Sequence, residues 1–264
     1  MDFFAKTIAR CMPKSYYQAW YEVKVTADFL KNWGGDNPRF NAGGEHIAGD
    51  HAGQESRGYR FPFGPVAIVS PFNFPLEIPV LQLMGALMMG NKPTIKASTT
   101  TGLVMDQYLR LLIDCGMPAS DVDMITCEGP VMGELIENGP YRVTQFTGSS
   151  TIAELLSEKT HGKVKVSERS EASEPQHLQP LNHIMALRSA QIEDAGFDWK
   201  ILGPDVNDFD YVSWVCDQDA YACSGQKCSA QSILFMHKNW EEAGIEAKLK
   251  ELAGKVRERR ERRE

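Results

Sequence analysis

Cys228 lies near the end of the small-residue run Tyr221-Ala-Cys-Ser-Gly-Gln-Lys-Cys-Ser-Ala230, directly before a stretch expected to be a strand, 231–237. A thiolate attacks a carbonyl only when it is held still and uncovered. A glycine-flanked turn feeding a strand fixes the Cys backbone while leaving the sulfur and nearby N–H groups open. The other common use of such a residue is as a small buried hydrophobe. Asn73 sits in Pro71-Phe-Asn-Phe-Pro75. A proline-flanked turn there can aim a carboxamide N–H at a developing oxyanion, or the Asn can stabilise its own turn. Thr147-Gly148-Ser149-Ser150 opens an expected helix. Its N–H groups and positive dipole end suit a phosphate, although a serine there also serves as an ordinary cap. Lys96, at a strand end, can reach ribose hydroxyls or stand as a solvated edge charge.

These residues fall at the ends of a regular alternation. Apolar patterning and glycine stops predict strands at 66–70, 94–97, 122–126, 142–146 and 163–166, with helices at 76–89, 100–115, 130–137 and 150–161 between them. Such β-α-β repetition implies a doubly wound parallel sheet of the α/β class, with ligands at the C-terminal strand ends. The candidate loops are then 70–75, beginning at Ser70 and Pro71, 96–99, and 147–150. No G-x-G-x-x-G follows the first strand, so a nucleotide must use another loop than the ordinary dinucleotide fingerprint. Upstream, 16–33 reads as a helix stopped by Gly34-Gly35, and 34–60 as a polar, Gly-rich connection with short strands. Residues 2–17 carry Lys6, Arg10 and Lys14, which suggests a transit peptide, but Asp2 and the aromatics favour a packed helix.

With 264 residues, 42% hydrophobic and 24% charged, the chain has the composition of a globular protein. A net charge of −7 argues against nucleic acid as a partner, and the longest apolar run, 78–89, contains Gln82 and is too short to span a bilayer. Six Cys spread through a chain this long point to a reducing compartment, and the C-x4-C pair Cys223/Cys228 lacks the companions of a zinc site. No His lies in a motif that pairs with Cys228, and His237 closes a strand, which disfavours a Cys–His hydrolase.

Four pieces in order, Pro71-Phe-Asn-Phe-Pro75, Gly90-Asn-Lys-Pro-Thr-Ile-Lys-Ala-Ser98, Phe146-Thr-Gly-Ser149 and Gly225-Gln-Lys-Cys228, together resemble the aldehyde dehydrogenase superfamily. The stretches 68–91, 193–205 and 214–237 look like its plant-type branch, the delta-1-pyrroline-5-carboxylate dehydrogenases, which oxidise L-glutamate gamma-semialdehyde in proline catabolism. The resemblance covers nearly all of 3–252 apart from one insert. It implies NAD- or NADP-dependent oxidation of a small-molecule aldehyde to an acid, a homo-oligomer, and a mitochondrial location, or otherwise a cytoplasmic one. Cys228 matches the nucleophile, Asn73 with the Cys228 N–H the oxyanion hole, and Glu193 the general base of thioester hydrolysis. Lys96, Gly148 and Ser149 match ribose and pyrophosphate contacts, together with the loop at Ser70 and Pro71. Thr99 stands where a Glu commonly follows the Lys, which leaves the choice of NAD or NADP open. Ser229, beside the nucleophile, is placed to face substrate.

Two departures stand out. Residues 167–191, rich in Ser, Glu, Pro and Gln, read as an insert expected to be a disordered loop between a central strand and Glu193. The final helix, from Trp240, ends in KVRERRERRE, whereas the family continues for about as much chain again. That remainder supplies a Glu that holds the nicotinamide ribose, the substrate-carboxylate loop and the subunit-pairing strand. The expected organisation is 1–61 helix and connection, 62–166 cofactor domain, 167–191 insert, and 192–264 the start of a catalytic domain. An inactive remnant that binds nucleotide or pairs with a full-length subunit is the alternative reading.

Overall fold

The chain begins with two helices, α1 (Asp2–Cys11) and α2 (Tyr16–Leu30), the second continued by a 3-10 turn through Trp33. Ser15 and Gln18 form a reciprocal capping box that starts α2, satisfying N–H groups the helix cannot. The polar connection, expected to carry short strands, holds them as an exposed antiparallel hairpin, β1 (Glu45–Ala48) with β2 (Glu55–Gly58), preceded by a short helix, α3 (Asn37–Ala42). This is a computed structural model that describes residues 1–159, 164–166, 189–193 and 196–261.

The alternation follows: β3 (Pro65–Val69), α4 (Glu77–Met88), β4 (Lys92–Lys96), α5 (Gly102–Asp114), β5 (Asp123–Met124), α6 (Gly129–Asn138), β6 (Val143–Thr147), α7 (Ser150–Lys159), β7 (Val164–Val166) and β8 (Ser189–Glu193). Gly90 ends α4 and Gly116 ends α5, with φ of 78° and 103°, left-handed geometry that glycine adopts without a Cβ clash. The strands form a parallel sheet in the order β5-β4-β3-β6-β8-β7. The chain runs outward from β3 through β4 to β5, then returns to the other side of β3 at β6. The topological switch point is therefore between β3 and β6.

The period of two along each strand divides the core. Val66, Ile68, Ile95 and Val143 face α4 and α5, against which α1 and α2 also pack. Ala67 and Phe146 face the opposite layer, with Met132 and Ile136 of α6 and Ala153 and Leu156 of α7. Burying a dozen or so such side chains, at roughly 1.5–3 kcal/mol each, is what makes the layered arrangement favourable.

One strand differs from expectation. The strand expected at 163–166 and read as central lies at the sheet's edge as β7, and the place next to β6 belongs to β8. β8 starts at Ser189, inside the segment read as an insert. Its five residues pair β6 over the whole strand, Val143↔Ser189 to Thr147↔Glu193. The remainder of that segment, 167–188, where a disordered loop is expected, lies outside the described residues, as do His161 and Lys163.

Contacts divide the chain into two units, Met1–Asp194 and Ala195–Glu264. The second contains a β-α-β unit: β9 (Asp198–Leu202), α8 (Phe209–Tyr221) and β10 (Gln231–Met236), with β9 and β10 parallel, followed by α9 (Lys238–Glu242) and α10 (Ile245–Glu261). Lys200 on β9 pairs with Asp219 on α8, and Trp240 donates its indole N–H to the Gly203 carbonyl at 2.8 Å.

Candidate active site

Because every strand of the larger sheet points the same way, their C-terminal ends make one edge. Register sets Val69 beside Lys96 and Phe146, and Thr147 beside Glu193. The first unit therefore gathers Lys96, Ser70, Pro71, Gly148, Ser149 and Glu193 along that edge, around the switch point where open α/β sheets bind ligands. The Ser70 N–H donates to the Lys96 carbonyl at 3.2 Å, tying the two strand ends. The Gly148 N–H donates to the Glu193 carbonyl at 3.1 Å, tying the turn before α7 to the end of β8.

The Ser70 side chain is buried, and its Oγ has no hydrogen-bond partner among the described residues. A buried hydroxyl without a partner costs about 1–3 kcal/mol and calls for a ligand or a functional cause. Gly148 packs directly over Phe146: a Cβ there would fall 2.6 Å from the ring Cζ. The bare turn and the exposed Ser149 lead into ten-residue α7, whose first N–H groups and dipole end suit an anion. An orphaned hydroxyl, a strand-end lysine and a turn with no room for a side chain suit a ligand that carries hydroxyls and phosphate. Glu193 is exposed.

Asn73 lies between β3 and α4, half-buried, with its Oδ1 accepting the Phe74 N–H at 3.1 Å. With that oxygen engaged, Nδ2 is the donating edge of the carboxamide. Cys228 and Ser229 belong to the second unit. The 3-10 turn after α8 carries three successive left-handed residues, Cys223, Ser224 and Gly225, at φ 54°, 58° and 72°. For Cys223 and Ser224 this costs roughly 1–2 kcal/mol each. The reversal feeds a second turn in which Lys227 accepts the Ala230 N–H at 3.2 Å. Cys228 and Ser229 are its two corner residues, just before β10; Cys228 is half-buried, in no disulfide, and Ser229 is exposed. The turn fixes the backbone of both residues.

Two contributors carry no motif. Gly196 passes so close to the turn at Cys228 that a Cβ on it would lie 2.8 Å from the Cys228 carbonyl oxygen. Lys14, among the basic residues read as transit-like, is buried and bonded to the Asn73 carbonyl at 2.8 Å. The available signal was Glu22, which falls on the face of α2 that buries Ala19, Val23 and Thr26. A carboxylate on such a face requires a buried partner. Among the described residues no group of three His, Cys, Asp or Glu converges as a metal site, and no helix is long and apolar enough to cross a membrane.

Residues 1–262 match the aldehyde dehydrogenase family model. The chain belongs to the aldehyde dehydrogenase family. It is 53% identical over 252 residues both to a probable aldehyde dehydrogenase of Linum usitatissimum and to the mitochondrial delta-1-pyrroline-5-carboxylate dehydrogenase 12A1 of Arabidopsis thaliana. Each match covers 96% of this chain and 41% of the relative, so the chain spans about two fifths of their length. Among solved structures it is similar to the NADP-dependent glyceraldehyde-3-phosphate dehydrogenase of Bacillus halodurans C-125 complexed with NADP, with a TM-score of 0.78 at 25% identity, covering 96% of this chain and 48% of that one. The NAD-dependent aldehyde dehydrogenase of Sinorhizobium meliloti shares the fold, with a TM-score of 0.82 at 21% identity, covering 96% and 45%.

Proposed function

We propose that this chain carries the cofactor-binding and nucleophile-bearing elements of an NAD(P)-dependent aldehyde dehydrogenase acting on L-glutamate gamma-semialdehyde. The observation that carries the reading is the edge formed by Lys96, Ser70, Gly148 and Glu193, with β8 in register beside β6. Identity of 53% to a pyrroline-carboxylate dehydrogenase supports the substrate, and that relative's mitochondrial name supports the compartment.

Lys96 would hold the cofactor ribose and Gly148-Ser149 its pyrophosphate, with Ser70 and Pro71 lining the strand end. The oxidised nicotinamide, when bound, accepts hydride from the substrate carbon. The Cys228 thiolate forms an S–C bond to the aldehyde carbon as the C=O π pair moves to oxygen. Asn73 Nδ2 and the Cys228 N–H stabilise that oxyanion, and Ser229 faces the substrate. After oxidation to a thioester, Glu193 takes a proton from water as it attacks; the C–S bond then breaks, releasing the acid and the thiolate.

The test is NADH absorbance with the purified chain, NAD and L-glutamate gamma-semialdehyde, with Cys228→Ala as control. Turnover lost in that variant supports the reading. Cofactor binding without turnover would instead favour the second reading, a nucleotide-binding portion that pairs with a longer subunit. The observation behind that alternative is the large apolar side chains exposed on β9 and β10, with Trp199 62%, Ile201 64% and Phe235 52% exposed.

A further inference from the structure

Two buried charges that take no part in the chemistry above hold the Asn73 turn. Lys14, in the connection between α1 and α2, and Glu22, on α2, have side chains 0% and 1% exposed, with Nζ 2.6 Å from Oε2. Lys14 Nζ also donates to the Asn73 carbonyl at 2.8 Å and sits 4.0 Å from the centroid of the Phe74 ring. Glu22 Oε1 accepts the N–H groups of Leu76 at 2.9 Å and Glu77 at 3.2 Å, the start of α4. The pair therefore grips residues 73, 74, 76 and 77 at once.

As a stabilising device this is inefficient, because desolvation of both charges offsets much of their attraction. Apolar side chains at 14 and 22 would join α2 to the core at less cost. Charge-assisted hydrogen bonds are directional, however, and here they end on backbone atoms on both sides of Phe74 and Pro75. What they secure is the orientation of one turn.

We propose that Lys14 and Glu22 are positioning residues for the oxyanion contact, fixing the Asn73 backbone so that its carboxamide presents Nδ2 in one direction. The proposal rests on the reading of Asn73 as an oxyanion donor to a carbonyl carbon bonded to Cys228. Neither charged residue touches substrate.

Acylation of Cys228 by 4-nitrophenyl acetate tests it, because the oxyanion donor serves that step whereas the nicotinamide does not. The full chain is compared with Asn73→Ala, Lys14→Met and Glu22→Gln, and with each of the last two combined with Asn73→Ala. Cys228→Ala supplies the background, and thermal midpoints are read alongside. Asn73→Ala should slow acylation about 100-fold. Lys14→Met and Glu22→Gln should each slow it about 10-fold or more on their own, with the loss in the rate constant and not in ester affinity. Combined with Asn73→Ala, either should change the rate by less than about 2-fold, since the group they position is gone. Equal losses with and without Asn73→Ala would mean a general structural role and overturn the proposal. An Asn73→Ala rate equal to that of the unmodified chain, or no Cys228-dependent acylation at all, would sink the oxyanion reading first and the proposal with it. Glu22→Gln keeps Oε1 for Leu76 and Glu77 and carries the cycle if Lys14→Met does not fold. Unfolding of both variants would show that the pair serves the fold alone and would likewise overturn the proposal.

Discussion

Gly196→Ala perturbs the turn that carries Cys228, the proposed nucleophile, without altering that residue. The new methyl would lie 2.8 Å from the Cys228 carbonyl oxygen, and 2.8 and 3.0 Å from the two carboxylate oxygens of Asp198. Close carbon–oxygen contacts settle at about 3.3 Å or more, so roughly half an ångström must be found. The Asp198 carboxylate can rotate away. The Cys228 carbonyl cannot, because its turn is closed by the Lys227–Ala230 hydrogen bond and runs straight into β10, which pairs with β9 from Asp198 onward. The displacement therefore falls on the backbone that carries the thiol. Overpacking of this kind costs about 1–3 kcal/mol of stability. Misplacement of a reacting atom by a fraction of an ångström to an ångström costs up to about 100-fold in rate, so acylation should slow about 10-fold or more. Stopped-flow acylation of Cys228 by 4-nitrophenyl acetate, with a thermal melt on the same sample, measures both. A variant that acylates and melts like the unmodified chain would refute the claim that glycine is required by the approach to Cys228.

Three further outcomes follow from local contacts. Gly148→Ala sets a methyl 2.6 Å from Cζ of buried Phe146, which is boxed in by Ala67, Ala153 and Leu156. It should lower stability by about 1–3 kcal/mol and weaken NAD binding, read by calorimetry and fluorescence titration; unchanged affinity would argue against this turn as the phosphate site. Burial, with a smaller push from Cys115, raises Tyr108 to about 12. The folded state holds that proton more tightly than the unfolded chain, so the stabilisation is whole below pH 10 and is lost as pH rises through 12, by up to about 2–3 kcal/mol. Tyr108→Phe should flatten that alkaline decline in urea-unfolding curves, and an unchanged slope would contradict the assignment. Burial also raises the thiols of Cys216 and Cys11, against a smaller opposing pull from Lys200 at Cys216. Brief iodoacetamide treatment at pH 7 should therefore mark Cys228 ahead of both in a peptide map, and early labelling of Cys216 would count against the described packing.

The sheet was legible because short runs containing β-branched residues alternate with longer helical stretches, several of them stopped by glycine, a signal that survives without knowledge of partners. Once the strands are parallel, their C-terminal ends must share an edge, so Lys96, Ser70 and Ser149 could be grouped before any coordinates. What escaped depended on pairing. A serine-rich segment gives no hint that 189–193 will complete the β6 ladder, since register is decided by the partner strand and not by the residues themselves. β9 was missed for a related reason: its burial alternates, but with Trp199 and Ile201 outward and Lys200 inward, the inverse of an amphipathic strand. Lys14 and Glu22 are the sharpest case. Eight residues apart on a helical hairpin, they offer one local signal, the place of Glu22 on the buried face of α2, and that signal names no partner. They become buried because a turn more than fifty residues later, 73–77, folds back on them and supplies a carbonyl and two N–H groups. Asn73, the proposed oxyanion donor, is visible from its prolines, whereas the link from Lys14 and Glu22 to its turn is visible only in three dimensions. A long-range hydrogen bond has no sequence period, so the parts of a site that position are harder to read than the parts that react.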